Sequence, residues 1–315
     1  MGVPETLIRA LERVANTRSG EPLARHTTIG IGGPADVFVT VETAAQLRDV
    51  LRLASEAGVP VFMLGSGSNI VVGDRGIRGV VIENNAGQID PEVVKPPLED
   101  AERYVFRVDS GASFAGVARQ MAFAGYAGLE WACGIPGTLG GAVVYNAGAY
   151  GGCLGDVLQR IAVWDTGAGE TVYEASELGL VYRGSAFTRG VMAGRAVLWA
   201  EVALWRGEIE ALKGRVAEYD GRRLKAQPRG RNAGSFFKNP PDQPAWKLLE
   251  AVGLRGYRIG GAEFSDKHSN FLINAGGASA ADVAALKSLA QARVREQFGI
   301  ELENEVTLVG EGFGD

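Results

Sequence analysis

The 315 residues carry 32 Lys and Arg against 37 Asp and Glu, a net charge of −5, with 46% hydrophobic and 22% charged residues. This is the balance of a globular protein with a sizeable core; the basic residues are dispersed, which argues against a nucleic-acid surface, and no apolar run approaches the ~18 residues of a membrane span. Two cysteines, Cys133 and Cys153, show no metal-ligand spacing and imply no disulfide framework, which fits a reducing compartment. The chain opens with Glu5 and Arg9 rather than a basic cap and an apolar run, so no signal peptide is expected. Its 45 glycines are about double the average share, so many backbone positions are turns or close approaches.

Residues 4–15 read as a short helix, with Pro4 in its first turn and Leu7, Leu11 and Val14 on one face. Residues 20–29 read as irregular, and Ile29–Asp36 as a glycine-rich turn into a strand over Val37–Val41. Thr43 then caps a helix whose apolar positions Leu47, Val50, Leu51 and Ala54 recur at helical spacing, ending at Gly58. Strands follow at Val61–Leu64 and Ile70–Val72, separated by Gly65-Ser66-Gly67-Ser68-Asn69. A dinucleotide fingerprint requires a third glycine where Ile70 stands and a helix after it, and no Gly-Lys pair of Walker type exists. The loop is therefore neither a Rossmann nor a P-loop site; it reads either as a plain turn or as a set of N–H and hydroxyl donors for a phosphate.

Strands at 77–82 and 104–109 flank a polar excursion around Pro91, Pro96 and Pro97, and a helix near 113–124 follows. Residues 128–152 then mix eight glycines with Trp131, Ile135, Pro136, Leu139, Val143 and Val144, too apolar for a linker. Such a stretch suits a tight β corner, or a backbone that lies against a large flat ring and offers amides to an anion. Strands are expected at 160–164, 171–173 and Ala196–Trp205, a basic amphipathic helix at 208–225, a helix at 245–252, a strand near Asn270–Asn274, and a long helix from Ser279 to Phe298 with Asp282 in a capping box. The last strand, Leu302–Val309, places Glu303 and Glu305 on one face by alternation.

Three positions carry possible chemistry. Ser235 lies between a glycine and two phenylalanines, where a hydroxyl can donate a proton only with a polarising neighbour. Arg183 follows a tyrosine in an apolar segment and suits a carboxylate; a surface or paired arginine is the plain alternative. A carboxyl at Glu303 or Glu305 on an apolar strand is either a solvent-facing group or one held neutral by desolvation. His26 and His268 are the only histidines and do not suggest a metal site.

In chain order, Thr27–Ala35, Leu64–Asn69, Gly134–Gly152, Tyr182-Arg183, Asn232–Pro240 and Leu302–Val306 resemble the UDP-N-acetylenolpyruvoylglucosamine reductase (MurB) family. The resemblance covers nearly the whole chain and is closer to the members that lack an extra tyrosine-bearing loop. It implies an α+β protein: an FAD-binding unit of the vanillyl-alcohol-oxidase (PCMH) type in two subdomains, residues 1–85 and 86–207, and an α+β substrate-binding domain, 208–299, with the 300–315 strand returning to the first. It also implies NADPH-dependent reduction of an enolpyruvyl ether through non-covalent FAD, with hydride passing from flavin N5 to the β-carbon. Ser235 would be the proton donor, with Arg183 and Glu305 stabilising the developing charge. Gly65, Ser66, Gly67, Ser68, Asn69, Ile135, Pro136, Gly137, Thr138, Gly140, Gly141, Asn146, Ala147 and Gly148 would hold FAD. Tyr182, Lys225, Lys238 and Asn239 would hold substrate, and no metal is implied. The expected partners are a nucleotide-sugar substrate and NADPH, with no nucleic acid and no membrane, and the expected state is a cytoplasmic monomer. A flavin oxidase of the same superfamily and a non-catalytic flavin or nucleotide-sugar binder remain as alternatives.

Overall fold

The structure is a computed structural model that describes residues 2–90 and 103–314. The expected excursion at Pro91, Pro96 and Pro97 lies outside the described residues. Helix α1 (Glu5–Glu12) buries Leu7 and Leu11, and leads to strand β1 (Asn16–Ser19), which sequence reading missed because it is mostly polar and exposed. Strand β2 (Ala35–Val41) pairs antiparallel with β1. Helix α2 (Ala44–Glu56) begins where the Thr43 hydroxyl accepts from the Gln46 amide, and buries the four apolar positions that its spacing predicts. Strands β3 (Val61–Leu64), β4 (Ile70–Val72) and β5 (Ile77–Asn84) follow. The first sheet runs β1-β2-β5-β3, with β5 parallel to both β2 and β3.

The second sheet is antiparallel. Strands β6 (Arg103–Asp109), β10 (Leu158–Asp165), β11 (Gly169–Glu174) and β12 (Ala196–Arg206) lie in the order β11-β10-β12-β6, with the short β7 (Tyr126–Ala127) beside the end of β12. Helix α3 (Phe114–Phe123) packs Phe114, Val117 and Met121 into the core of this layer. The glycine-rich stretch is not a β corner alone: it includes a short helix, α4 (Leu139–Val144), started by the Thr138 hydroxyl on the Gly141 amide, then a hairpin of β8 (Gly148–Ala149) and β9 (Gly152–Cys153). Glycine at 140 lets α4 approach the second sheet closely, since a Cβ there would meet Ser110 Cβ at 3.0 Å.

Helix α5 (Ile209–Ala226) buries Leu212 and Val216 in that same middle core. Beyond it, β13 (Asn232–Ser235), β14 (Arg258–Ile259), β15 (Ala262–Phe264) and β16 (Phe271–Asn274) form a third sheet in the order β13-β16-β15-β14. Helices α6 (Ala245–Ala251) and α7 (Ala280–Phe298) contribute to its core, into which Ile29, Ile31 and Val71 of the first unit also pack. The final strand is shorter than alternation predicts. Only β17 (Thr307–Val309) is extended, parallel to β4. Upstream, the Lys238 amide donates to Glu303 O, while the Glu305 and Val306 amides both turn to Phe236 O, which breaks the two-residue period. Glu303 and Glu305 therefore meet different surroundings: Glu303 has 74% of its side chain exposed on Lys238, whereas Glu305 has 16%. Among the described residues no helix is long and apolar enough to cross a membrane.

Candidate active site

A cavity of about 940 Å³ runs between the three sheets, near the upper end of the range for small-molecule sites, about 300–1,000 Å³. Its walls include Val59–Leu64, Trp164 and Met192–Val197, the glycine segments, and Arg183, Ser235 and Glu305. Thirteen of the fourteen residues expected to hold FAD line it: Gly65–Asn69, Ile135–Thr138, Gly140, Gly141, Ala147 and Gly148. Asn146 does not. Its amide donates to Val181 O at 3.0 Å and its carbonyl accepts from Gly155 N at 2.9 Å, so it supports the turn that follows rather than the cavity wall.

That turn is what aims Arg183. Val181 and Gly184 exchange both main-chain hydrogen bonds, leaving Tyr182 and Arg183 at the tip, with Arg183 at φ +53°. An arginine in the left-handed region costs roughly 1–3 kcal/mol, and such strain persists where the surroundings impose it. Arg183 Nε lies 2.7 Å from Glu305 Oε1, but its N–H is not aimed at that oxygen, so the contact is a charge pair and not an aligned hydrogen bond. Burial pushes the Glu305 carboxyl above its ordinary range, and the opposing pull of Arg183 and Lys238 does not cancel it. The close charge pair and the raised carboxyl point in opposite directions; the poor alignment explains why burial prevails.

Ser235 ends β13 opposite Phe271, after a register break at Asn232–Ser235. Asn232 Oδ1 accepts from Gly234 N at 3.0 Å, and Gly234 takes φ +84°, which turns Ser235 into the cavity wall. Thr28 Oγ1 donates to Asn232 O at 2.6 Å, tying this bulge to the first unit. Ser235, Arg183 and Glu305 thus come from three distant segments to the wall of one cavity. Tyr182, Lys225, Lys238 and Asn239 do not line it. Lys238 pairs with Glu303 at 3.2 Å, and Asn239 Oδ1 accepts from Ala245 N at 3.0 Å at the start of α6. Sequence reading passed over Arg223, Gln227, Asn84 and Ser110, all of which line the cavity. For Arg223 the signal was available: it continues the apolar face Leu212-Val216-Tyr219 of the helix read as basic and amphipathic.

A cavity of this kind, walled by glycine loops in an α+β fold, defines a flavoprotein: residues 35–173 match the FAD binding domain, and residues 226–309 match the UDP-N-acetylenolpyruvoylglucosamine reductase, C-terminal domain. UDP-N-acetylenolpyruvoylglucosamine reductase 2 of Symbiobacterium thermophilum is 41% identical over 297 residues, 93% of this chain and 92% of that one. The reductase of Heliobacterium modesticaldum is 41% identical over 300 residues, covering 93% and 91%. The crystal structure of UDP-N-acetylenolpyruvylglucosamine reductase (MurB) from Thermus caldophilus superposes with a TM-score of 0.74 at 34% identity, over 94% of this chain and 99% of that one. The chain belongs to the UDP-N-acetylenolpyruvoylglucosamine reductase family and is an FAD-dependent oxidoreductase.

The cavity fits the cofactor. Among the described residues, the amides of Ser66, Gly67, Ser68, Gly137 and Thr138 donate to no protein acceptor, and all five residues line the cavity. Such a group of amides suits a pyrophosphate. The loops that carry them are close: Ser68 Oγ donates to Pro136 O at 3.1 Å, and a Cβ at Gly65 would lie 2.7 Å from Thr138 Oγ1. A side chain at Gly65 would press against Thr138 and force the two loops apart.

Proposed function

We propose that the protein catalyses the NADPH-dependent reduction of UDP-N-acetylglucosamine enolpyruvate to UDP-N-acetylmuramate, a step of peptidoglycan precursor synthesis. The carrying observation is the convergence of Ser235, Arg183 and Glu305 on the wall of the cavity that holds the glycine cradle. Bound FAD would supply two-electron chemistry, accepting one hydride from NADPH and giving one hydride to the enolpyruvyl β-carbon. The amides of residues 66–68 and 137–138 would hold its pyrophosphate. Ser235 would give its hydroxyl proton to the substrate α-carbon and regain one from solvent. Arg183, fixed by its turn, would hold the substrate carboxylate as charge moves onto it. Glu305, kept toward the neutral form by burial, would donate a hydrogen bond to the same oxygens.

The divisions expected at 85/86 and 207/208 would hold, except that α5 packs Leu212 and Val216 into the middle core and would be reckoned to it. Packing of Ile29, Ile31 and Val71 with the third core supports a cavity shared by all three. The protein would act as a monomer in the cytoplasm, and Tyr182, Lys225, Lys238 and Asn239 would meet the substrate at the rim, outside the cavity wall. The test is anaerobic: NADPH is added until the flavin colour bleaches, then the enolpyruvyl sugar. Rapid return of the oxidised spectrum is expected. Bleaching without return would remove the substrate and favour an oxidase acting on another compound.

A further inference from the structure

Helix α5 turns Leu212, Val216 and Tyr219 toward the middle core, and the next position on that face is Arg223. An arginine in the register of an apolar seam needs an answer to its charge, because a buried cation without one is costly. Arg223 Nη1 donates to Gly134 O at 2.6 Å, while its Nε is buried and has no partner. The neighbouring Asp220 is engaged by Arg119 at 2.7 Å. Among the described residues no carboxylate forms an ion pair with Arg223. Burial holds its guanidinium below the ordinary range for arginine; Tyr150 and then Asp220 oppose this without cancelling it, and a smaller repulsion from Arg183 adds to it.

Arg223 lines the cavity beside Gly134, to whose carbonyl its guanidinium is tied, and within the field of Arg183. The unpartnered amides of the cradle already suit the cofactor's pyrophosphate. Three arginines, Arg183, Arg195 and Arg223, therefore line the cavity with one carboxyl, Glu305; Arg195 pairs with Asp165 and Arg183 with Glu305, so that of the three only Arg223 forms no ion pair among the described residues. We propose that Arg223 is a substrate-binding residue whose guanidinium takes an oxyanion of the nucleotide sugar, its enolpyruvyl carboxylate or its diphosphate. This rests on the function proposed above.

The test titrates oxidised holoenzyme with UDP-N-acetylglucosamine enolpyruvate, and separately with UDP-N-acetylglucosamine, which keeps the diphosphate and lacks the carboxylate. The flavin spectrum reports binding. In Arg223→Gln, affinity for the enolpyruvyl sugar should fall at least about tenfold, with FAD content unchanged. Arg223→Lys should recover part of the loss, since it keeps the charge without the planar fork. Weakening of both ligands assigns the diphosphate; weakening of the enolpyruvyl sugar alone assigns the carboxylate. Unchanged affinities in Arg223→Gln overturn the proposal. Loss of FAD from both variants also overturns it, because the charge then serves the cofactor. A wild-type protein that gives no response to the enolpyruvyl sugar overturns the functional reading itself, a result distinct from an unresponsive variant.

Discussion

Glu305 meets opposing demands: Arg183 and Lys238 favour its ionised form, while burial favours the neutral one and prevails. A group whose folded-state value is raised stabilises the fold fully below its unfolded value. That contribution is lost as pH rises from the ordinary 4.5 through the folded value. If the neutral carboxyl also serves the reaction, turnover falls through the same window. Glu305→Gln keeps a donor that does not titrate, so its relative rate should lack this alkaline decline even where its absolute rate is lower. A pH–rate profile in which both proteins decline in parallel would remove Glu305 from the titration. Ser235 is tested by separating the half-reactions: Ser235→Ala should bleach with NADPH at close to the normal rate, and the return on adding substrate should slow by at least about 100-fold. Equal loss of both steps would count against proton donation. Neither residue was recognisable alone in the sequence, because an isolated serine and a glutamate near a strand have plain structural roles; family resemblance singled them out.

At the scale of elements, the glycine loop between β3 and β4 shows how backbone conformation makes a binding surface. Gly67 has φ +61°, and a Cβ there would lie 2.0 Å from the carbonyl oxygen of His26. The loop cannot keep its place with any side chain at that position. Gly58, after α2, has a similar φ of +64° but open space around it. Gly58→Ala should therefore cost about 1 kcal/mol of stability and leave FAD binding intact. Gly67→Ala should weaken FAD binding at least about tenfold, read by flavin fluorescence on mixing with apoprotein. Equal FAD affinity in the two variants would refute the cradle. The helices and most strands were readable from periodicity and caps, as Thr43 and Ser279 show. The segment at 302–306 was not, since its amides answer to Phe236 and Glu303 pairs with Lys238 on a neighbouring segment.

Over the whole molecule, the first and third units are joined by contacts distant in sequence. Asp74 accepts from the amides of Ala280 and Ala281 at 2.8 and 3.2 Å, at the start of α7. Asn274 Nδ2 donates to Ile29 O at 3.0 Å, and Thr28 holds the bulge that carries Ser235. Asp74→Ala removes a carboxylate from a helix start and should lower the unfolding free energy by about 1 kcal/mol. The flavin spectrum should not change, because Asp74 lies outside the cavity wall. A denaturant midpoint equal to that of the wild type would show that the Asp74 contact adds nothing to the joining of the units.

The sequence by itself determined the α+β class, the extent of most helices and strands, the exclusion of Rossmann and P-loop sites, and the family. These follow from local periodicity, capping and ordered motifs, which act over a few residues at a time. Tertiary structure decided which residues meet. It separated Glu303 from Glu305 where alternation had placed them together, placed Asn146 in the support of the Arg183 turn rather than in the cavity wall, and brought Arg223 into the cavity from a helix read as basic and amphipathic. Each depends on contacts between segments tens to hundreds of residues apart, where burial and unmet charge arise from the packing partner and not from the neighbouring sequence.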